Sequence, residues 1–204
     1  MVQFNSKKAE NNMNNNMSGY NSETIKKELA RVNEKGRFYK GVKGVIVTLV
    51  VVAAIAVLVA TLVLPVLQIY GTSMTPTMQD GDIVVSVKGS EFEQGDIIAF
   101  YYNNKILVKR AIAFSGGWVD IDSDGNVSVN GVQLDEPYVD EKSLGECDIT
   151  LPYQVPEGKV FVMGDHRATS KDSRSTEVGT VSEEQVVGKI VFRVWPLDRF
   201  GRVS

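Results

Sequence analysis

GVIVTLVVVAAIAVLVATLVLPV, residues 44–66, holds no charged side chain and is dominated by Val, Leu, Ala and Ile. As a helix rising 1.5 Å per residue, these 23 residues extend about 34 Å, enough to cross a hydrocarbon core of about 30 Å. The run has no polar face, which a helix lying on a soluble core would carry. A cleavable signal peptide also fits poorly. The run is preceded by 43 residues and exceeds the roughly 7–15 residues of an h-region. Lys35, Arg37, Lys40 and Lys43 crowd its N-terminal side, whereas no charge follows it until Asp80. Basic residues flanking a span stay on the cytoplasmic side. The N-terminus is therefore expected inside and residues 70–204 outside, as a single-pass type II protein of the cell membrane lodged in the lipid bilayer.

On either side of the run the charge changes sign. Residues 1–43 carry nine Lys/Arg against four Glu, while residues 80–204 carry thirteen Lys/Arg against twenty-one Asp/Glu, for −3 in all. An acidic main domain excludes nucleic acid as its partner, because phosphate binding needs clustered positive charge. The single cysteine, Cys147, permits no internal disulfide, so the fold must rest on its core. Residues 1–21 are rich in Asn and poor in large apolar side chains, too little to order themselves by burial. Residues 22–35 fit a short amphipathic helix, with Ser22 as N-cap, Ile25, Leu29 and Val32 on one stripe, and Gly36 as its stop. Three parts are expected: a basic, partly disordered cytoplasmic tail (1–43), a transmembrane helix (44–66) and an extracytoplasmic β-rich domain (67–204).

Beyond the span, turn signals alternate with β-favouring runs. Gly81-Asp82 precedes 83–85, Gly95-Asp96 precedes 97–101, and Asn103-Asn104 separates that run from 106–114. Asp124-Gly125 and Asn130-Gly131 are two-residue hairpin signals between 119–121, 127–129 and 132–134. Residues 159–163 and 189–194 read as further strands, with a helical turn near 182–186. The fold class is mainly β: one N-terminal transmembrane helix, then an antiparallel sheet domain.

Just past the span lies GTSMTPTM, residues 71–78. Ser73, set between a glycine and a proline, serves either as a nucleophile or as a hydrogen-bond partner of its own turn. Only seven residues separate it from Val66, at most ~25 Å of extended chain, so it stands close to the outer membrane surface. Met74 and Met78 either dip into that interface or line the core. A nucleophilic serine needs a base. The one histidine, His166, sits beside Asp165 and near Asp172, so a Ser-His-Asp triad is arithmetically possible. The other candidate is a lysine whose pKa is lowered by burial. In 106–113, strand alternation puts Lys109 on one face with Leu107, Ala111 and Ala113, and Arg110 on the other with Ile106, Val108 and Ile112. A lysine among small apolar neighbours either loses its charge or snorkels to water.

Three stretches together resemble bacterial type I signal peptidases. GTSMTPT (71–77) is similar to their serine box, VKR (108–110) to their lysine box, and GDHRATSKDSR (164–174) to their glycine-aspartate box. Asn130-Gly131 and Glu136-Pro137-Tyr138 also have counterparts there. The order of the boxes and the preceding span fit, over roughly residues 40–200. The resemblance implies a signal-peptidase-type β domain with Ser73 as nucleophile and Lys109 as general base. It also implies that the Ser170 hydroxyl orients the lysine and that Asp165, Asp172 and Arg174 brace the site. The Ser73 N–H corresponds to an oxyanion donor, and the hydroxyl that some members carry two residues earlier is replaced by Gly71. Two further departures are His166, where the family usually has Asn, and Phe114-Ser115-Gly116-Gly117, where it usually has Leu-Pro-Gly-Asp.

The resemblance implies a membrane-anchored serine endopeptidase that removes signal peptides from secretory preproteins through an acyl-enzyme, cutting after small residues, with no cofactor and no metal. Two alternatives remain open. One is a non-catalytic tethered β domain that binds exported chains during pilus or envelope assembly, which need not keep both Ser73 and Lys109. The other is a self-cleaving domain like those of SOS repressors, which would want a DNA-binding head in place of the span.

Overall fold

The computed structural model describes residues 22–203, so the Asn-rich stretch expected to be disordered lies outside the described residues. The chain divides into two units, one ending at Val57 and the other beginning at Leu58. Helix α1 (Ser22–Val63) is continuous over 42 residues, whereas two separate helices were expected. Gly36 does not stop it, because one glycine inside a helix costs only roughly 1 kcal/mol against the Lys, Arg and Glu formers around it. Its segment Tyr39–Leu62 is long and apolar enough to cross a membrane, with its described side chains exposed. The helix ends where Leu64 N–H still reaches Ala60 O (2.8 Å). Pro65 has no N–H to continue the ladder, and Val66 already belongs to a strand. The helical span thus closes three residues earlier than expected.

Among the described residues the second unit holds twelve strands: β1 (Val66–Gln68), β2 (Ile83–Lys88), β3 (Ile97–Tyr102), β4 (Lys105–Phe114), β5 (Trp118–Ile121), β6 (Val127–Val129), β7 (Val132–Gln133), β8 (Tyr153–Gln154), β9 (Lys159–Met163), β10 (Val181–Ser182), β11 (Val186–Trp195) and β12 (Gly201–Arg202). The larger sheet runs β1-β2-β11-β3-β4-β9-β10, with β12 on β11, and the smaller runs β7-β6-β5-β8. Every pairing is antiparallel. Asn130 and Gly131, at φ 54° and 78°, make the expected two-residue turn between β6 and β7.

Both faces of β3 are buried, which is why it reads as an unbroken apolar run. Ile97 and Ala99 pack with Met74, Met78, Val84 and Ile190. Ile98 and Phe100 pack with Ala111, Val160 and Val162. A third cluster joins Ile112, Phe161 and Met163 to Val119, Ile121 and Val127 of the small sheet. Strand β4 departs from simple alternation. Its register with β9 slips between Ala111 and Ala113, a bulge that turns Ala113 into the third cluster beside Ile112.

Among the open strand edges of the described residues, two border the serine turn. β1 ends the larger sheet and pairs only with β2. β4 pairs with β3 along its length up to Arg110, but β9 meets it only from Arg110 onward. Among the described residues, 105–109 therefore have no strand partner on that side. They share with residues 67–70 a groove of about 640 Å³, onto which Ser73 and Met74 also open.

Candidate active site

Ser73 sits in a tight turn that follows β1. Gly71 enters it at φ 84°, a left-handed value that favours glycine, and its N–H donates to Asp80 Oδ1 (2.7 Å). Within the turn Thr75 N–H bonds Thr72 O and Met78 N–H bonds Met74 O. Among the described residues these bonds leave the Ser73 N–H unclaimed. Met74 and Met78, 2 % and 0 % exposed, are driven into the core beneath the turn. They anchor the serine rather than reach for lipid, and full burial of each is worth about 1.5–3 kcal/mol.

Lys109 comes from β4, opposite Ile98. It is 4 % exposed, and its Nζ lies 2.6 Å from Ser73 Oγ. Loss of hydration on burial lowers its pKa from 10.5 to about 8. The negative charges of Asp172 and Asp165 oppose that fall, and the positive charge of Arg174 adds to it. An amine in this state is a ready proton acceptor near neutral pH.

Both faces of β4 are buried here, so Arg110 also needs a partner. Asp165 takes it in a fork, at 2.9 Å from Nε and 2.7 Å from Nη2, and also accepts the Thr77 hydroxyl. One carboxylate thus holds both the serine turn, through Thr77, and the lysine strand, through Arg110. The Arg110 guanidinium lies 3.7 Å from the centre of the Tyr138 ring. Burial and the nearby Glu136 raise the Tyr138 phenol to about 12, so it stays protonated.

Asp172 accepts Gly164 N–H (2.9 Å) and a fork from Arg174 (2.8 Å for both Nε and Nη2). Burial pushes this carboxyl up, but the Arg174 hydrogen bond and charge with the Gly164 N–H hold it below its ordinary value. Arg174 also caps Leu144 O (2.7 Å). Ser170 is 2 % exposed, and its Oγ has no hydrogen-bond partner among the described residues. The lysine contact expected of it is therefore not formed here. The hydroxyl lies against Gly164, where a Cβ would overlap it together with the Ser73 carbonyl oxygen.

His166 touches Ser73 only through its backbone, whose N–H donates to Ser73 O (3.1 Å). Its ring Nδ1 pairs with the Thr169 hydroxyl (2.8 Å), an arrangement that assembles no Ser-His-Asp triad. Among the described residues no group of three or more His, Cys, Asp or Glu could hold a metal ion. Sequence reasoning missed Thr77, Arg110, and the buried pair of Glu136 and Arg167 (2.6 Å). A signal was present for Arg110: a cation alternating with Ile106, Val108 and Ile112 requires a carboxylate for the same reason that Lys109 drew notice.

Residues 42–195 match the family described as signal peptidase, peptidase S26. A signal peptidase IB from Staphylococcus aureus (strain COL) is 35% identical over 176 residues, 76% of this chain and 90% of that one. A signal peptidase I from Bacillus licheniformis is 33% identical over 185 residues, 84% of this chain and 96% of that one. The crystal structure of a signal peptidase I from Enterococcus faecalis V583 covers 49% of this chain and 97% of its own, at 32% identity and a TM-score of 0.40. With an apolar helix long enough to anchor it in a membrane and a serine and a lysine in contact beside an open groove, this chain belongs to the signal peptidase family, peptidase S26, a family of serine endopeptidases.

Proposed function

We propose that this protein removes signal peptides from translocated preproteins, with Ser73 as nucleophile and Lys109 as general base. The observation that carries the reading is the 2.6 Å contact between Lys109 Nζ and Ser73 Oγ, in a pocket whose burial brings the amine to about 8.

The substrate is an extended segment that inserts between the free edge of β1 and the free edge of β4, donating and accepting ladder hydrogen bonds on both sides. The groove walls at Leu67, Ile69, Ile106 and Val108 favour small side chains before the cut. Neutral Lys109 takes the Ser73 proton as Oγ bonds to the scissile carbonyl carbon. The oxyanion is received by the unclaimed Ser73 N–H, a donor whose loss typically raises such a barrier by about 2.7–4 kcal/mol. As the C–N bond breaks, the ammonium returns its proton to the leaving amine. Water, deprotonated by the same lysine, then hydrolyses the acyl-enzyme. Ser170 is the residue assigned to steady the amine through these transfers. Asp165, Asp172 and Arg174 keep the turn and the strand in register.

The chain is oriented with its basic N-terminal flank in the cytoplasm and the catalytic domain outside. From Leu62, the last residue of the apolar segment, eleven residues lead to Ser73, at most roughly 40 Å of chain. The nucleophile therefore works near the outer surface, where a translocated signal peptide emerges. The test is to incubate the detergent-solubilised full chain with a secretory precursor and sequence the new N-terminus. Cleavage after a small residue, abolished by Ser73→Ala and by Lys109→Ala, is expected. An active Lys109→Ala protein refutes the assignment of the base, and absence of cleavage refutes the function.

A further inference from the structure

We infer that Glu136 and Arg167 form a positioning pair that seats the nucleophile through the carbonyl of Gly164; this rests on the Ser73/Lys109 reading above. Glu136 lies in the loop after β7, outside the serine, lysine and glycine-aspartate stretches. Its side chain and that of Arg167 are wholly buried. Arg167 Nη2 donates to Glu136 Oε1 (2.6 Å) and Nη1 to Oε2 (3.3 Å). The remaining guanidinium nitrogen, Nε, donates to Gly164 O (3.0 Å). Asp172 already holds the N–H of Gly164 (2.9 Å), so each polar group of this one residue is fixed by a different buried ion pair.

What Gly164 carries explains the need. A Cβ at this residue would overlap the Ser73 carbonyl oxygen and the Ser170 side chain. Two residues on, His166 N–H donates to that same Ser73 oxygen (3.1 Å). The backbone of 164–166 is therefore the surface on which the Ser73 carbonyl rests, and a tilt there swings Ser73 Oγ relative to Lys109 Nζ. The loop that carries Glu136 also carries Tyr138, whose ring faces Arg110 and whose hydroxyl donates to Glu136 (3.3 Å). It touches both the seat of the nucleophile and the residue after the base. Apolar side chains of similar volume would support such a loop as well as a buried ion pair does, but they offer Gly164 no donor. The specific part is the third hydrogen bond.

Arg167→Lys separates support from position. The ammonium keeps a positive charge opposite Glu136 but lacks the rigid fork that serves the carboxylate and Gly164 together. On the full chain in detergent, with a precursor peptide as substrate, kcat should fall on the order of 10- to 100-fold, the penalty of small misplacements. KM should change little. The acid limb of the kcat/KM profile should move to higher pH, because a loosened serine admits water to Lys109. Glu136→Gln, which keeps the shape and removes the charge, should act in the same direction and carries the test if Arg167→Lys does not fold. A wild-type kcat per folded molecule in the folded variant overturns the inference. So does a loss that tracks the unfolded fraction by circular dichroism while the limb stays in place. Ser73→Ala and Lys109→Ala accompany both variants. If either is active the dyad reading itself fails, whereas two inactive controls beside a fully active Arg167→Lys remove only the positioning role.

Discussion

The proposed lysine base makes the pH profile the most exacting test. With the amine at about 8, about one molecule in ten holds it neutral at pH 7, about one in a hundred at pH 6 and half at pH 8. Since only the neutral form accepts the Ser73 proton, kcat/KM should rise tenfold per pH unit up to about 7.5 and level off above about 8.5. A lysine left at 10.5 would instead climb past pH 10. The difference corresponds to about 3 kcal/mol of preference for the uncharged amine, supplied by lost hydration at a site 4 % exposed. Asp172→Asn is the informative perturbation. The Asp172 charge pulls the amine upward and the Arg174 charge pushes it down. Neutralising Asp172 should move the acid limb to lower pH, even as the plateau drops and stability falls by about 3–5 kcal/mol with Arg174 left unpaired. The assay is initial-rate cleavage of a precursor peptide from pH 5.5 to 10 in mixed buffers. A wild-type rate that is flat from pH 6 to 8, or an Asp172→Asn limb that moves upward, would refute the reasoning.

Three further outcomes are expected. The folded-state pKa of Lys109 lies below its unfolded value of 10.5, so the unfolded chain binds more protons between about 8 and 10.5 and stability rises with pH across that window. Lys109→Met should remove this slope, gain up to about 3 kcal/mol at pH 7 and lose all activity; chemical denaturation at pH 7, 8.5 and 10 measures it. Gly164→Ala forces a Cβ against the Ser73 carbonyl oxygen and Ser170, and kcat should drop about 100-fold, read by steady-state kinetics. His166→Ala keeps the backbone N–H that holds Ser73 and loses only a ring paired with Thr169. It should retain substantial activity and shift stability by less than about 0.5 kcal/mol in a thermal melt; inactivity equal to that of Ser73→Ala would restore the triad.

Where a turn residue forced the backbone, the sequence was explicit. Asn103, Asn130 and Gly131 take positive φ, and the strands flanking them lie where expected. β1, β8, β10 and β12 are two or three residues long, too short to imprint a period, and they exist only because a neighbouring edge recruits them. Gly36 misled because a helix tolerates one glycine, and Val66 because apolar residues serve equally in a span and in a strand. Ser73 and Lys109 were legible as a pair only once three stretches were taken together. Their 2.6 Å contact depends on a turn anchored by Met74 and Met78, which no local pattern encodes. Glu136 and Arg167 lie 31 residues apart, and such buried pairs become visible only when the chain has folded.

The unpaired margins of β1 and β4 carry a hazard as well as a use. A row of unbonded backbone groups templates any extended chain, including another copy of itself. One margin is three residues long and pairs on its other side with β2; the other begins at exposed Lys105, a cation that discourages flat stacking. A resting molecule is thus guarded by brevity and by one charge, and any lengthening of β1 or loss of Lys105 trades vigilance against self-association for a firmer grip on the proposed substrate strand.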